Sequence, residues 1–335
     1  MREFIAVILA LGFAFAGAEA GCRYYHYRHC ARYEGRDHGE LTRVFERDSA
    51  LGIALKPGMR VELRAFRART PLYRAQVTID DKGRRFTPNH DQARDAALFF
   101  GCSFTFGLGV DDDQTLPADF EGTQTGLRAL NYGLPGAGPQ NMLAQLQKPG
   151  LASETGPASL AVYTFIDDHV GRAVGSPMVY FGLGKFLPYY HQGPGNRLVR
   201  DGDFVSGRPW VSTAFNLLEK SYLFFYAARD LRPPDAPDLE MTARIIEAAR
   251  DRYREVFHNS NFYVLIYPGA RHFGPALAAR LTRTGTRVLD YSTLDFHDSK
   301  YWLPGDWHPS TEAYREIARR LSEDLAHPHV HDAER

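Results

Sequence analysis

The run Ala96-Ala97-Leu98-Phe99-Phe100 constrains the fold of this chain more than any other stretch. Five apolar residues in a row, ended by Gly101, read as a buried strand. The pattern then repeats. Further strand candidates at residues 129–132, 159–166, 262–267 and 287–291 are separated by segments of helical period. Helix candidates are residues 141–147, 212–231, 239–257 and 310–325. In the last, Tyr314, Ile317, Ala318 and Leu321 share one face behind an N-cap at Ser310. Strands alternating with helices imply an α/β fold with a mainly parallel sheet covered on both faces. At 335 residues and 44% hydrophobic, the chain has ample core for one large domain with an appendage.

Residues 21–95 do not share this rhythm. Val61-Glu62-Leu63-Arg64-Ala65-Phe66 alternates apolar with polar, and residues 77–86 read as a strand, a turn at 81–83 and a return. They are taken as a β-rich N-terminal extension, with the main domain at 96–326 and a flexible tail at 327–335. Residues 171–238 interrupt the alternation with an aromatic-rich insertion holding Tyr180, Tyr189, Tyr190, Trp210, Tyr222, Phe224, Phe225 and Tyr226, closed by a proline-rich breaker at 232–237. Such an insertion either caps the sheet edge or uses its aromatics as its own core.

The N-terminus reads as a targeting segment: an apolar run at 4–16 precedes the small-x-small site Ala18-Glu19-Ala20. Residues 1–20 are therefore expected to be a signal peptide, with a retained membrane anchor or lipid attachment at Cys22 as alternatives. Export places the protein in a periplasmic or secreted setting, where Cys22 and Cys30 could close a small disulfide loop. Cys102 reads as a small buried hydrophobe. Lys+Arg and Asp+Glu balance at 40 each, so charge points neither to nucleic acid nor to an anionic membrane surface.

Chemistry concentrates after the first parallel strand. In Gly101-Cys102-Ser103, the serine stands where a strand gives way to a helix, at the carboxyl edge of an open sheet where α/β proteins place their sites. The same position suits an ordinary helix cap. A serine hydroxyl is a nucleophile only when a base removes its proton and a carboxylate orients that base. Leu303-Pro304-Gly305-Asp306-Trp307-His308-Pro309-Ser310 supplies both after the last strand candidate, with His308 as base and Asp306 as its partner. Asp295 and His297 repeat the Asp-x-His spacing and compete for the role. The glycine-rich loop from Asn131 to Gly138 lets a backbone N–H approach an oxyanion. His169, after two aspartates, is read as part of a solvated or hydrogen-bonded loop rather than a metal ligand, and His327, His329 and His331 as a frayed terminus.

Four blocks in order, Gly-x-Ser-x-x-x-Gly, Asn-x-Gly-x-x-Gly, Phe165-Ile166-Asp167-Asp168 and Asp-x-His-Pro, resemble the SGNH (GDSL-like) hydrolase superfamily over residues 96–325. The resemblance implies a flavodoxin-like three-layer α/β/α sandwich that removes or transfers acyl groups with no metal or cofactor. It assigns Ser103 as nucleophile and oxyanion donor, Gly136 as second oxyanion donor, His308 as base and Asp306 as its partner. Cys102 replaces an aspartate of the first block, and Asp306 lies two rather than three residues before the histidine. Asp167 stands where the third block carries an oxyanion-donating Asn, and a carboxylate there would donate only if protonated. The expected activity is an exported serine esterase or O-acyltransferase with a small-molecule or glycan ester as substrate. A weakly catalytic carbohydrate-binding or envelope-assembly protein is the alternative. No nucleic-acid partner is expected, and a membrane only if the N-terminal segment is retained or lipidated.

Overall fold

The computed structural model describes all residues except 31, 34–42, 89–94, 124–125, 181–182, 232 and 327–335; the tail histidines fall outside the described residues. The chain opens with one long helix, α1 (Arg2–His29). Short antiparallel pieces follow: β1 (Arg32–Tyr33) beside β4 (Arg60–Arg67), β2 (Phe45–Asp48) with β3 (Gly52–Leu55), and a hairpin of β4 with β5 (Thr70–Thr78). In β4, Val61, Leu63 and Ala65 are buried between more exposed neighbours, as the alternating sequence requires.

The main sheet has five strands: β6 (Asp95–Gly101), β7 (Leu127–Gly133), β8 (Ala158–Phe165), β11 (Phe262–Ile266) and β12 (Arg287–Asp290). Every pairing is parallel and the spatial order is β12-β11-β8-β6-β7. Counted within the sheet, this is the 2-1-3-4-5 order of flavodoxin-like folds, whose topological switch point lies beside the carboxyl end of the first strand. A small antiparallel pair, β9 (Pro188–Gln192) and β10 (Leu198–Asp203), belongs to the insertion.

The apolar run that begins β6 is apolar because both faces are covered. Ala96, Leu98 and Phe100 join one core cluster with α4 (Pro139–Leu146), α6 (Asp168–Val174), α10 (Ala236–Phe257) and α11 (Gly274–Arg283). Ala97 and Phe99 join a second with α3 (Leu116–Thr123) and α12 (Thr311–Ala326). Each fully buried Leu or Phe in these layers contributes about 1.5–3 kcal/mol relative to exposure. Ser310 caps α12, accepting from the Ala313 N–H at 3.3 Å.

Extension, insertion and sheet edge share a third cluster. Ile53, Leu63 and Val77 of the extension meet Tyr180, Leu187 and Phe204 of the insertion and Phe106, Leu108 and Leu134 of the main domain. Tyr180, Phe186, Tyr189, Phe204 and Phe215 of the insertion are used in this packing, and Tyr180 stacks on Phe215 at 4.9 Å between centroids. Where the sequence reads one helix over 212–231, there are two, α8 (Pro209–Leu218) and α9 (Tyr222–Leu231). At the break, Ser221 Oγ accepts from the Phe224 N–H at 3.1 Å and so helps to start a new helix.

Cys22 and Cys30 are both unpaired and lie on the one helix α1 or at its cap. Eight residues of helix separate their Cα atoms by about 12 Å, beyond the roughly 7 Å limit for a disulfide. The small disulfide loop is thus corrected: helix formation across this segment holds the thiols apart.

Candidate active site

Ser103 opens a four-residue helix, α2 (Ser103–Phe106), directly past the end of β6, and is buried. Two features of β7 fix that helix. Asn131, fully buried, donates from Nδ2 to the Thr105 carbonyl at 2.9 Å and accepts the Gly133 N–H at the same distance. Gly133 lies so close to the Phe106 backbone that any Cβ would collide with it. Beside this, Gly136 has φ +81°, with open space where a side chain would stand.

The loop before α12 turns back on itself. The Leu303 N–H reaches the His308 carbonyl at 2.9 Å, and Trp302 bridges Pro309. The turn brings Asp306 and His308 to one side, while Trp307 between them is 86% exposed. His308 Nε2 lies 2.9 Å from Ser103 Oγ, and His308 Nδ1 lies 2.8 Å from Asp306 Oδ1. With Nδ1–H donating to the carboxylate, Nε2 is the acceptor for the serine hydroxyl. Asp306 Oδ1 also accepts the Trp307 N–H at 2.6 Å, and Oδ2 accepts the Tyr73 hydroxyl. Burial works against the charge on Asp306; hydrogen bonds and attraction from His308, with Tyr73 and the Trp307 N–H, outweigh it and hold the carboxyl below its usual range. The chemistry available is proton removal from Ser103 by an oriented imidazole.

Tyr73 was not legible as a site residue, because it comes from β5 of the extension. That hairpin holds the site at several further points. The Gln76 and Thr78 N–H groups bind Asp111 and Asp112 at 2.7 and 2.9 Å, in the loop that follows the Ser103 helix. Arg85, wholly buried, donates to the Val110 carbonyl at 3.0 Å, pairs with Asp112 at 3.0 Å and lies over the Phe106 ring. Burial is the main reason its guanidinium is pushed down to about 10, against the attraction of Asp112. The extension thus touches both the segment after the serine and the loop of the acid.

Asp167 has another task than oxyanion donation. Its two oxygens accept the Phe273 and His272 N–H groups at 2.8 and 3.0 Å, tying the start of α11 to the end of β8. A carboxylate so engaged is an acceptor and offers no hydrogen to an oxyanion. Arg172 supplies positive charge nearby. It donates to the Ala137 carbonyl at 3.1 Å, within the Gly136 loop, and pairs with Asp168 at 3.2 Å. Burial opposes its charge, but the neighbouring Cys102 side chain and Asp168 favour it, and the guanidinium is held above its ordinary value.

The competing pair is arranged differently. Asp295 accepts the backbone N–H of His297 at 3.1 Å, and the His297 ring lies 3.1 Å from Arg271 on the surface. His169 is helical and fully buried rather than solvated, hydrogen-bonded through Nδ1 to Tyr163 at 2.7 Å; burial, helped by Arg172, holds its pKa well below the ordinary value. Among the described residues no group of three or more His, Cys, Asp or Glu is placed to hold a metal ion.

No protein-family model matches the chain, and no curated protein matches it. Several solved structures are similar at low identity. A member of the lipolytic protein G-D-S-L family from Veillonella parvula DSM 2008 has 13% identity and a TM-score of 0.40, covering 69% of this chain and 98% of that one. The acetyl xylan esterase Est2A from Butyrivibrio proteoclasticus has 9% identity and a TM-score of 0.41, covering 70% and 64%. A family two carbohydrate esterase from Clostridium thermocellum, solved with cellohexaose, has 10% identity and a TM-score of 0.42, covering 89% and 98%. Structural neighbours of the chain are thus GDSL-like lipolytic proteins and carbohydrate esterases, all distant in sequence.

Proposed function

We propose that this chain is an exported serine esterase or O-acyltransferase acting on an ester of a glycan or cell-envelope molecule. The observation that carries the reading is the continuous relay Ser103 Oγ, His308 Nε2, His308 Nδ1 and Asp306 Oδ1, joined at 2.9 and 2.8 Å. His308 takes the Ser103 proton as Oγ attacks the ester carbonyl. The carbonyl π electrons move to oxygen, and N–H groups of Ser103 and Gly136 stabilise that oxyanion, with the Arg172 charge nearby in place of the third-block donor. Collapse expels the alcohol, protonated by His308, and leaves an acyl-serine. Water or a sugar hydroxyl, deprotonated by His308, then takes the acyl group and restores Ser103. Export is supported by the apolar N-terminal helix, and a glycan acceptor by the exposed Trp307 indole between the acid and the base.

A second reading, a weakly catalytic carbohydrate-binding protein, is favoured by one observation. Asp167 fills the third oxyanion position with an acceptor, and losing one such donor costs on the order of 10²–10³ in rate. Hydrolysis of p-nitrophenyl acetate by the full chain and by Ser103→Ala separates the two. Turnover lost in Ser103→Ala is the expected result. Equal rates in both, with glycan binding retained, would leave the binding reading in its place.

A further inference from the structure

α1 has two unlike halves. Residues 4–18 are apolar and exposed, with Phe4 at 69% and Phe13 at 78%, and a membrane-spanning stretch of this helix has to run on past Glu19. Its second half has a built seat on α9. Glu19 accepts from the Ser221 hydroxyl at 2.8 Å and from the Tyr222 and Leu223 N–H groups at 3.0 and 2.9 Å, and pairs with Arg23 at 2.7 Å. Arg23 donates to the Lys220 carbonyl at 2.8 Å, and His26 Nδ1 lies 3.0 Å from the Tyr226 hydroxyl. Glu19 therefore caps α9 from another element, although it sits inside the small-x-small site. Cleavage after Ala20 would take that cap away.

Next to this seat, α8 is apolar on its exposed side as well. Ser212 is buried and Phe215 half-buried, whereas Trp210, Val211, Ala214 and Leu217 are exposed as a stripe beside Thr213 and Asn216; Trp210 is 87% and Leu217 81% exposed. α8 ends at Leu218, two residues before the Lys220 carbonyl that holds Arg23. Leu217, at the near end of the stripe, lies three residues from Lys220, whose carbonyl Arg23 of α1 binds.

We propose that α1 is retained as a membrane anchor and that the α8 stripe rests in the interface of the same bilayer. Residues 4–18 span only about 22 Å at 1.5 Å per residue, against a hydrocarbon core of about 30 Å. A short span draws flanking apolar surface toward the membrane or thins it. Tryptophan and leucine on α8 suit that depth. Glu19 is tolerable there because its oxygens already have partners. The occupant is lipid; the proposal is independent of the catalytic reading.

The test uses the full-length chain in phosphatidylcholine–phosphatidylglycerol vesicles with or without acyl chains brominated near the headgroup. Tryptophan emission of the parent should be quenched by the brominated lipid. Trp210→Phe, which keeps Trp302 and Trp307 and changes an exposed side chain, should lose at least half of that quenching. Unchanged quenching in Trp210→Phe, or none in the parent, would overturn the α8 contact. So would a disulfide-linked dimer of Leu217→Cys in place of quenching, which would assign the stripe to a second copy. The intact mass of protein extracted from expressing membranes should include residues 1–20; a chain starting at Gly21, or a lipidated Cys22, would overturn the retained anchor.

Discussion

Tyr73→Phe removes one oxygen and tests whether the extension serves the site. The ring stays, keeping its packing beside Gly109 and Leu303. What is lost is the hydroxyl that donates to Asp306 Oδ2, leaving the carboxylate with His308 and the Trp307 N–H on its other oxygen. A hydrogen bond to a charged group is worth about 1.5–3 kcal/mol, or roughly ten- to a hundredfold in rate if all of it acts in the transition state. The bond exists in the ground state too, so the expected loss lies at the low end, about tenfold in kcat with KM within twofold. Asp306→Asn, which also disturbs the imidazole tautomer, should cost on the order of 10⁴. The sign of the pH effect follows from the same contacts. Tyr73 is among the groups that hold the Asp306 carboxyl below its usual range, so its loss moves the protonation of that carboxyl to higher pH. The assay is p-nitrophenyl acetate hydrolysis from pH 4 to 9, with thermal melts as a check on folding. A Tyr73→Phe enzyme with parental kcat would refute the assigned role.

Arg172→Gln should lower kcat in the same assay about tenfold or more, because the positive charge beside the Gly136 loop is removed while Asp167 supplies no donor; parental kcat would exclude Arg172 from oxyanion stabilisation. Trp307→Ala should raise KM for an acetylated oligosaccharide several-fold and leave p-nitrophenyl acetate kinetics unchanged, and equal effects on both substrates would count against a sugar-stacking role. His169 is neutral in the fold, with a depressed pKa, so its contribution to stability is complete above its unfolded value near 6.5 and is lost as pH falls from there toward the folded pKa. One proton taken up only by the unfolded chain gives a slope of about 1.4 kcal/mol per pH unit. Urea melts at pH 7, 6 and 5 should show that slope weakened in His169→Gln, and an identical slope would sink the attribution.

Local sequence carried the layers of this fold and the ends of its relay. β6, β8 and β11 announced themselves as short apolar runs, β7 and β12 by their place in the alternation with helices, and Ser310 marked the last helix as a cap does. Ser103, Asp306 and His308 were legible for a related reason: each lies within a few residues of a strand end or helix start. Tyr73 and Arg85 were not, since nothing short-range distinguishes them from other residues of the extension; only the tertiary approach of β5 and of Arg85 to residues 110–112 and 306 gives them partners. Arg172 was hidden likewise, on a helix whose start at His169 read as a solvated or hydrogen-bonded loop. Asp167 was visible as an anomaly, but its use as an acceptor for residues 272 and 273 depends on a segment more than a hundred residues away. The split of 212–231 into two helices follows from Ser221 together with Glu19, the second contributed by a segment expected to be removed.

The central claim is that Ser103 is an activated nucleophile, and covalent labelling measures this most directly. A fluorophosphonate probe incubated with the full chain at neutral pH should give one adduct per protein, placed on Ser103 by peptide mass spectrometry and absent from His308→Ala. An adduct on another residue, or an unlabelled Ser103 in folded protein, would contradict the account.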